Sequence, residues 1–449
     1  MNKTYQKYYQ AINELEELNN SLGGRLAGDK KISREFFLQR TKRLFKYLNN
    51  PHKGIKVIHI TGTSGKGSVA SMIQSILSRS GKRTGLFLSP HLCETIERIK
   101  VDEKLISVSD FLRLFKRVRP LWEKSRQESP LGCNSYFESL LAIAFLYFKE
   151  KKCEYVVLES GVGGTFDATN IAINTKVAVI TNIGLDHMDI LGRTKKEIAL
   201  NKVGIIKKGS KVFTAEKDKK LIDIIKTEAE KKKAVFMPAL DKAKIVSLDA
   251  NGLIFEFQNH IYKTKFLGAH QALNASLAIR AASAILPKKD QGLIKEALSE
   301  LVLPGRLEVI EQDPAVILDT AHNADKIKST IDFACQNFKG KINLVIALAA
   351  GKSAEAVFKK MQGKVKIIYL TSFRSARRTC QDPRDIKRQM IDLSMDCKVE
   401  SDPKKAFEMA KKEAGKDGLI LITGSFFLAQ ELRRLWHPGE DILKNRKLL

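Results

Sequence analysis

A glycine-rich segment in the first quarter of the chain has the composition of a phosphate-binding loop. Residues 62–68 are Gly-Thr-Ser-Gly-Lys-Gly-Ser, between an apolar run and a helical pattern. Glycines let backbone N–H groups approach phosphate oxygens, and the N-terminus of a following helix adds partial positive charge. Lys66 can reach the outer phosphates, and Ser68 can ligate Mg²⁺. Gly67 separates these two residues, so the spacing differs from the common G-x-x-x-x-G-K-S/T pattern, and the alternative is an ordinary glycine-rich turn.

Two further apolar runs lead into polar side chains that could bind a metal. Glu159 directly follows residues 155–158, and His187 lies just beyond residues 177–180. Parallel strands bring their carboxyl ends to one edge of a sheet, so Glu159 and His187 are candidates to hold Mg²⁺ together with Ser68. Taken alone, a glutamate at a strand end is more often a helix cap or an ion-pair partner, and a lone histidine is more often structural.

The elements that must position these residues form two α/β series. In the first, buried strands alternate with helices, which predicts a mostly parallel sheet. The predicted elements are an amphipathic helix interrupted at residues 22–25, a second helix ending before Pro51, strands at 55–60, 155–158 and 177–180, a charged helix at 217–233 and a hairpin at 252–266. The second series has four strands separated by helical segments, at residues 316–319, 342–348, 365–371 and 419–423.

These series predict two α/β domains. Residues 1–303 are expected to form a P-loop ATPase-like domain with a mostly parallel sheet, and residues 304–449 a Rossmann-like domain. The connector is expected near residues 303–306, where Pro and Gly interrupt the pattern.

The composition excludes several classes of protein. The 449 residues include 78 Lys and Arg against 50 Asp and Glu, a formal charge of 78 − 50 = +28, yet 43% are hydrophobic, which excludes a disordered polycation. The charge fits nucleic acid, an acidic membrane surface, nucleotide triphosphate or polycarboxylate, or it reflects solubilising surface lysines. A nucleic-acid-binding ATPase rests on this charge alone, because no basic stripe with interleaved aromatics is present. No apolar run approaches the roughly 20 residues of a membrane span, and the six cysteines include no C-x-x-C pair, so a cytoplasmic protein with reduced thiols is expected.

The motifs, taken in order, resemble those of the folylpolyglutamate synthase and dihydrofolate synthase family, relatives of the muramyl peptide ligases. The matching segments are G-T-S-G-K-G-S at 62–68, S-P-H-L at 89–92, E-R-I at 97–99, Y-F-E at 136–138, E-S-G-V-G-G-T-F-D-A-T-N at 159–170, D-H at 186–187, K-V-G-I-I-K at 202–207, H-Q at 270–271, N-A at 274–275, P-G-R at 304–306, D-T-A-H-N at 319–323 and T-G-S at 423–425.

The resemblance implies an ATP-dependent acid–amino-acid ligase. Such an enzyme joins the γ-carboxyl of a glutamyl folate, or the carboxyl of dihydropteroate, to the amine of L-glutamate through an acyl phosphate. It implies a cytoplasmic monomer whose partners are these small molecules, with no nucleic acid and no membrane. Thr165 stands where bacterial relatives carry Arg, and residues 351–353 keep only the lysine of a D-K-D motif. A related ligase with a non-folate acceptor is therefore the alternative.

The resemblance also implies four groups of site residues. The nucleotide, ATP, would be bound by Thr63, Ser64, Gly65, Lys66, Gly67, Ser68, Asn274, Arg306 and Asp319. One Mg²⁺ ion, or two, would be bound by Ser68, Glu159, His187 and a carbamylated Lys202. The pterin would contact Gly23, Gly24, Arg25, Tyr136, Phe137, Glu138, Phe166, Asp167 and Ala168. Catalysis would involve Lys66, Lys202, Arg306 and His322.

Overall fold

A computed structural model describes residues 2–26, 35–128, 132–238, 243–287, 290–375, 378–390, 393 and 395–448, with no side chains described at residues 19–26. The strands are β1 Lys56–Thr61, β2 Thr84–Phe87, β3 Ile99–Val101, β4 Lys104–Leu105, β5 Tyr155–Glu159, β6 Thr175–Ile180, β7 Lys211–Thr214, β8 Val235–Met237, β9 Lys244–Asp249, β10 Gly252–Phe257, β11 His260–Thr264, β12 Glu308–Glu311, β13 Ala315–Leu318, β14 Ile342–Ile346, β15 Val365–Leu370, β16 Cys397–Val399 and β17 Leu419–Thr423.

The α-helices are α1 Lys3–Leu26, α2 Glu35–Tyr47, α3 Lys66–Arg79, α4 Val108–Val118, α5 Pro120–Gln127, α6 Tyr136–Glu150, α7 Met188–Leu191, α8 Lys195–Lys202, α9 Lys219–Lys231, α10 His270–Ser283, α11 Gln291–Glu300, α12 Ala324–Asn337, α13 Ala354–Phe358, α14 Pro383–Gln389, α15 Pro403–Ala414, α16 Phe426–Arg433 and α17 Gly439–Asn445. Short 3-10 helices occupy Thr95–Arg98, Ala168–Ile171 and Val203–Ile205.

The first sheet has eight strands in the order β4-β3-β2-β5-β1-β6-β7-β8. All neighbouring pairs are parallel except β2–β3 and β3–β4, which confirms the mostly parallel sheet. The central strand β1 pairs with β5 and β6, and this register sets Ile60 beside Glu159 and Thr61 beside Ile180. The loop that follows β1 therefore begins at the sheet edge where β5 and β6 end.

Two smaller features of the N-terminal half differ in how well the sequence predicted them. The hairpin at residues 252–266 is confirmed as β10 and β11, and β9 adds a third antiparallel strand. The predicted interruption at residues 22–25 is wrong, since the backbone is helical through α1. A glycine inside a helix costs only about 1 kcal/mol, so two glycines weaken a helix without ending it. Gly23, Gly24 and Arg25, which are expected to contact the pterin, lie outside the residues whose surroundings the structure describes.

The second sheet has six strands in the order β12-β13-β17-β14-β15-β16. Only β12–β13 is antiparallel, and the four strands predicted in this half are confirmed as β13, β14, β15 and β17. The sequence missed the two edge strands. β12 has only half-buried residues and β16 has three residues with no continuous apolar run, so neither carries a strong strand pattern.

The structure has buried apolar cores and free thiols. Separate clusters of buried apolar side chains lie on the two faces of each large sheet. The six cysteines are free thiols. In the ranges that the structure covers, no helix combines the length and the apolar character needed to cross a bilayer.

Candidate active site

A cavity of about 960 Å³ lies between the two large sheets. The loop after β1 and the ends of β5 and β6 form one wall, which we call the first wall. The opposite wall, here the second wall, is formed by residues 306–307, by the end of β13 and by the first turns of α12. The cavity therefore joins the ligand-binding edges of two α/β sheets, which is where such sheets bind ligands.

The loop after β1 is folded tightly against the end of β6. The N–H groups of Thr63 and Ser64 donate to the backbone and side-chain oxygens of Asn182, at 2.9 and 2.8 Å. Gly65 has φ +80°, and a Cβ there would stand 2.6 Å from Asn274 Oδ1. The left-handed backbone favours glycine here, and a Cβ would also displace the Asn274 side chain of α10. The geometry is that of a fixed cradle at the N-terminus of α3, as anion binding requires.

Two lysines converge on one carbonyl beneath this loop. Lys66 Nζ and Lys202 Nζ donate to the Gly62 oxygen at 3.2 and 2.9 Å. Burial lowers the pKa of Lys202 to about 7, and the charge of Lys66 acts in the same direction. Lys202 therefore carries a largely neutral amine above neutral pH.

Of the four residues expected to bind Mg²⁺, Ser68, Glu159 and His187 line the first wall, whereas Lys202 is buried beneath the loop. Ser68 is buried in the first turn of α3, and Glu159 is buried at the end of β5. Glu159 Oε2 accepts the Ser89 N–H at 2.9 Å, and burial raises the pKa of this carboxyl despite the nearby Lys66. His187 faces the same cavity. Among the described residues, no group of three or more His, Cys, Asp or Glu side chains is arranged to hold a metal.

On the second wall, Asp319 organises the loop that carries Arg306. One carboxylate oxygen accepts the Leu307 N–H at 2.8 Å, and the other accepts the Ala321 N–H at 2.8 Å and the Thr330 hydroxyl at 3.1 Å. Arg306 lines the cavity and donates to the Thr320 hydroxyl and to the Gly305 carbonyl. Asp319 therefore holds residues 305–307 against the end of β13.

A histidine and a lysine of the second wall lie close to Asp186 of the first. His322 Nδ1 lies 3.0 Å from the Thr320 oxygen, and burial lowers its pKa to about 4, so the ring is neutral at pH 7. Burial lowers the pKa of Lys326 to about 8, against the attraction of Asp186. Burial opposes ionisation of Asp186, but the neighbouring basic groups His187, His322 and Lys326 hold its pKa below the usual range, since the histidines gain charge in the acidic range where Asp186 titrates.

Sequence reasoning assigned no role to Asp186 or Lys326. Asp186 stood in the D-H motif, where only the histidine was chosen as a ligand. Lys326 follows the D-T-A-H-N motif by one helical turn, and that spacing was the signal available.

The residues expected to contact the pterin are divided by the structure. Phe137, Glu138, Phe166, Asp167 and Ala168 line the cavity. The Glu138 carboxylate is engaged by Arg40 at 2.6 Å and by the Asn134 amide at 3.1 Å. Asp167 accepts the N–H groups of Val162 and Thr169 at 2.8 and 2.9 Å. Both acids therefore shape loops, and the two phenylalanine rings are the side chains available to a planar ligand.

Tyr136 is not part of this cavity wall. Its side chain is buried, its hydroxyl lies 3.3 Å from Thr95 Oγ1, and the Arg98 guanidinium lies 5.3 Å from its ring centre. Successive helical residues point about 100° apart, so Phe137 faces the cavity while Tyr136 packs behind it. Tyr136 therefore lies behind the lining of this cavity, and its contact with a substrate stays a prediction.

Comparisons with known proteins agree with this architecture. The family model described as the Mur ligase middle domain matches residues 60–282, and the one described as the Mur ligase glutamate ligase domain matches residues 305–426. A dihydrofolate synthase/folylpolyglutamate synthase of Bacillus subtilis is 33% identical over 412 residues, covering 88% of this chain and 94% of that protein. A folylpolyglutamate synthase of Lacticaseibacillus casei is 27% identical, covering 90% and 95%.

Solved structures show the same fold. A folylpolyglutamate synthase of Thermotoga maritima is 30% identical with a TM-score of 0.79, covering 90% of this chain and 93% of that one. A folylpolyglutamate synthase of Mycobacterium tuberculosis, solved with ADP and AMPPCP, is 27% identical with a TM-score of 0.81, covering 89% and 95%.

Proposed function

This chain belongs to the folylpolyglutamate synthase and dihydrofolate synthase family of Mur ligases, and we propose that it joins L-glutamate to a folate, to dihydropteroate, or to both, with cleavage of ATP to ADP and phosphate. The observation that carries the proposal is one cavity with a phosphate-type loop on its first wall and with Arg306, Asp319 and His322 on its second. Residues 1–303 and 304–449 are proposed as the two domains, so that the reaction takes place between them.

The first step is phosphoryl transfer to the acceptor carboxylate. The bond from the γ-phosphorus to ADP breaks as a carboxylate oxygen bonds to that phosphorus, which makes the carbonyl carbon a good electrophile. This step needs positioning and charge neutralisation more than a protein nucleophile. The N–H groups of Thr63 and Ser64 already donate to Asn182, so the N–H groups from Gly65 to Ser68 and the Lys66 ammonium group serve the phosphates from the first wall. Arg306 serves them from the second wall. Lys66 Nζ exchanges its 3.2 Å bond to the Gly62 oxygen for a phosphate oxygen.

The first wall fits a magnesium ion. Glu159 and Ser68 offer oxygen ligands, and a cation beside Glu159 would stabilise the ionised carboxylate that burial disfavours. Mg²⁺ typically takes one or two protein ligands and completes its shell with phosphate oxygens and water, so a preformed cluster is not needed. Bound Mg²⁺ would neutralise charge on the triphosphate. His187 is proposed as a neighbouring ligand.

Lys202 is proposed to carry a carbamate. A neutral amine adds to CO₂ with loss of one proton, and a pKa of about 7 leaves this amine neutral at pH 8. In ¹³C-bicarbonate buffer at pH 8, the wild type is expected to show a carbamate carbon signal that Lys202→Met lacks. No signal in the wild type, together with full activity of Lys202→Met, would overturn this assignment.

The second step is attack of the glutamate amine on the acyl phosphate. The ammonium group first loses one proton to solvent. The amine nitrogen then bonds to the carbonyl carbon as the bond from that carbon to the phosphate oxygen breaks, and a second proton from the nitrogen leaves with the phosphate as HPO₄²⁻. His322 is neutral, and Nδ1–H donation to the Thr320 oxygen leaves Nε2 as an acceptor. That acceptor is suited to the ammonium group of glutamate, which supports our proposal that the amine binds on the second wall.

The proposal is tested by parallel incubations with dihydropteroate and with mono- and polyglutamyl tetrahydrofolate. We expect phosphate release and a product heavier by one glutamyl residue with at least one acceptor, and none when glutamate or Mg-ATP is omitted. If neither pterin gives product, the folate assignment fails.

A non-folate carboxylate is the second candidate. Thr165 favours it, because an uncharged threonine stands where bacterial relatives carry arginine. Its hydroxyl donates to the Asn201 oxygen at 2.7 Å. A panel of carboxylic acids scored for glutamate-dependent phosphate release distinguishes the two.

A further inference from the structure

One cation in the second wall has no partner among the residues that the structure describes. Lys326 lies in the first turn of α12 and lines the cavity. Its backbone N–H donates to the Asn323 side chain at 3.0 Å, but within the described ranges its ammonium group makes no hydrogen bond or ion pair. Lys328 on the same helix shows the ordinary arrangement, with Nζ 2.5 Å from Asp332 Oδ2.

The surroundings of Lys326 disfavour a positive charge. Burial lowers its pKa to about 8, and Lys66 and Arg306 act in the same direction. The residue also stands at the N-terminal end of a helix, where the backbone already supplies partial positive charge. Asp186 and Asp319 oppose these effects, but the Asp319 carboxylate is already engaged by two N–H groups and a hydroxyl. A bound anion would supply the missing compensation.

The other cations indicate which anion this is. Lys66 belongs to the loop on the first wall, whereas Lys326 and Arg306 belong to the second. Lys66 and Arg306 each lie close enough to Lys326 to act on it electrostatically. A group placed between them is met by positive charge from both walls, which suits the phosphoryl group that passes between substrates, because its charge is spread over three oxygens.

We infer that Lys326 binds the γ-phosphoryl oxygens of ATP and stabilises them during transfer to the acceptor carboxylate. The inference rests on the proposed function, because it takes the loop after β1 as the nucleotide site. The bond changes are those of the phosphoryl transfer given above, and Lys326 exchanges no proton in them. Its ammonium group acts as a further positive charge on the phosphoryl group, beside Arg306 on the second wall and opposite Lys66 on the first.

Nucleotide binding to Lys326→Met tests the inference without any acceptor. With Mg²⁺ present, calorimetry should show AMPPCP weakened by about tenfold and ADP changed by less than about twofold, because only AMPPCP carries a γ-phosphonate. Equal weakening of both ligands, or no change in either, overturns the inference. This result is independent of which carboxylate the enzyme uses.

Turnover with the acceptor that the wild type uses gives the second test. Lys326→Met should lower kcat by about 10²-fold, Lys326→Arg should recover most of that loss, and the KM for glutamate should change little. Lys328→Met is the matched control, since it removes a lysine from the exposed face of the same helix. An unchanged kcat for Lys326→Met, or a higher KM for glutamate with kcat retained, overturns the role in phosphoryl transfer.

The outcomes separate this inference from the proposed function. If the wild type glutamylates no folate and no dihydropteroate, the proposed function fails, and the nucleotide comparison alone decides the role of Lys326. If the wild type is active and Lys326→Met behaves like Lys328→Met, the inference fails and the proposed function stands.

Discussion

The two walls of the cavity differ in how their polar groups are satisfied before a ligand binds. On the first wall, Lys66 and Lys202 both bond to the Gly62 oxygen, and the loop amides of Thr63 and Ser64 are anchored on Asn182. On the second wall, Lys326 has no bond within the described ranges. These groups of the first wall are hydrogen-bonded before a ligand binds, whereas the ammonium group of Lys326 would be compensated by a bound anion. We therefore expect a bound ligand to stabilise the second wall more than the first.

The largest effect is expected on the first wall, from Lys66→Ala. Loss of the cation that serves the outer phosphates should lower ATP turnover by about 10³-fold or more. The melting temperature should stay close to that of the wild type, because the Nζ bond to the Gly62 oxygen is the contact that is lost. Phosphate release measures the turnover, and thermal unfolding measures the melting temperature. Substantial turnover, or unfolding of the variant, would contradict the division of roles.

On the second wall, Arg433→Met should destabilise the support of Arg306. Arg433 forms a buried ion pair with Glu308 at 2.7 Å, and Glu308 accepts the Gly305 N–H at 2.8 Å. Leaving the Glu308 side chain, which is only 12% exposed, without its arginine should cost about 3 kcal/mol of unfolding free energy, measured by urea denaturation. The matched control is Lys411→Met, which removes the partner of Glu311 in an ion pair more exposed than that of Arg433 and Glu308. This change should cost about 1 kcal/mol or less. Equal costs would contradict this account.

A pair of glycines tests whether the first wall is a preformed cradle. Gly65 and Gly81 have similar backbone angles, φ +80° and +78°, but a Cβ at Gly65 meets Asn274 at 2.6 Å while one at Gly81 meets nothing within 4 Å. Gly65→Ala should lower turnover by about 10²-fold through displacement of the loop. Gly81→Ala carries only the backbone strain of about 1–2 kcal/mol and should keep its activity. Equal activity of the two variants would show that the loop adapts.

The smallest effect concerns the pH dependence of stability at Lys326. Its pKa is about 8 in the folded protein and returns to the ordinary lysine range on unfolding, so the unfolded chain binds more protons between these values. Wild-type stability therefore gains from this residue as pH rises above about 8. Asp186, Asp319, Lys66 and Arg306 are the charged groups that set this value.

Lys326→Met removes that dependence. Its melting temperature should exceed that of the wild type by about 1–3 °C at pH 7, and the difference should narrow towards pH 10. The comparison is made by thermal unfolding without nucleotide at several pH values. A difference in melting temperature that stays constant from pH 7 to pH 10 would show that the charge of Lys326 does not destabilise the folded protein.

The strands and the site differ in how far the sequence predicted them. Buried parallel strands are continuous apolar runs, so β1, β5, β6 and the four inner strands of the second sheet were recognisable. Edge strands β12 and β16 lack such runs. Among the pterin candidates, Phe137 and Tyr136 are adjacent in sequence but face different surroundings. A motif gives residue types in order, while the helix rotation decides which of them reaches the cavity.

The net charge illustrates the same limit. Within the described ranges, Lys66, Arg306, Lys326 and Arg378 are the lysines and arginines that line the cavity, out of 78 in the sequence. The formal charge of +28 therefore comes mostly from residues outside the site.

The sequence by itself determined the order of the elements, the two parallel sheets and the glycine loop, because these depend on local patterns of apolar residues and on backbone freedom. Only the tertiary structure decided that Lys202 lies under Gly62 and that Glu138 is held by Arg40. It also decided that Lys326 lies near Lys66 with no hydrogen bond or ion pair to its ammonium group among the described residues. Burial and electrostatic balance depend on distances between residues far apart in the chain, and those distances exist only once the two sheets have packed around the cavity.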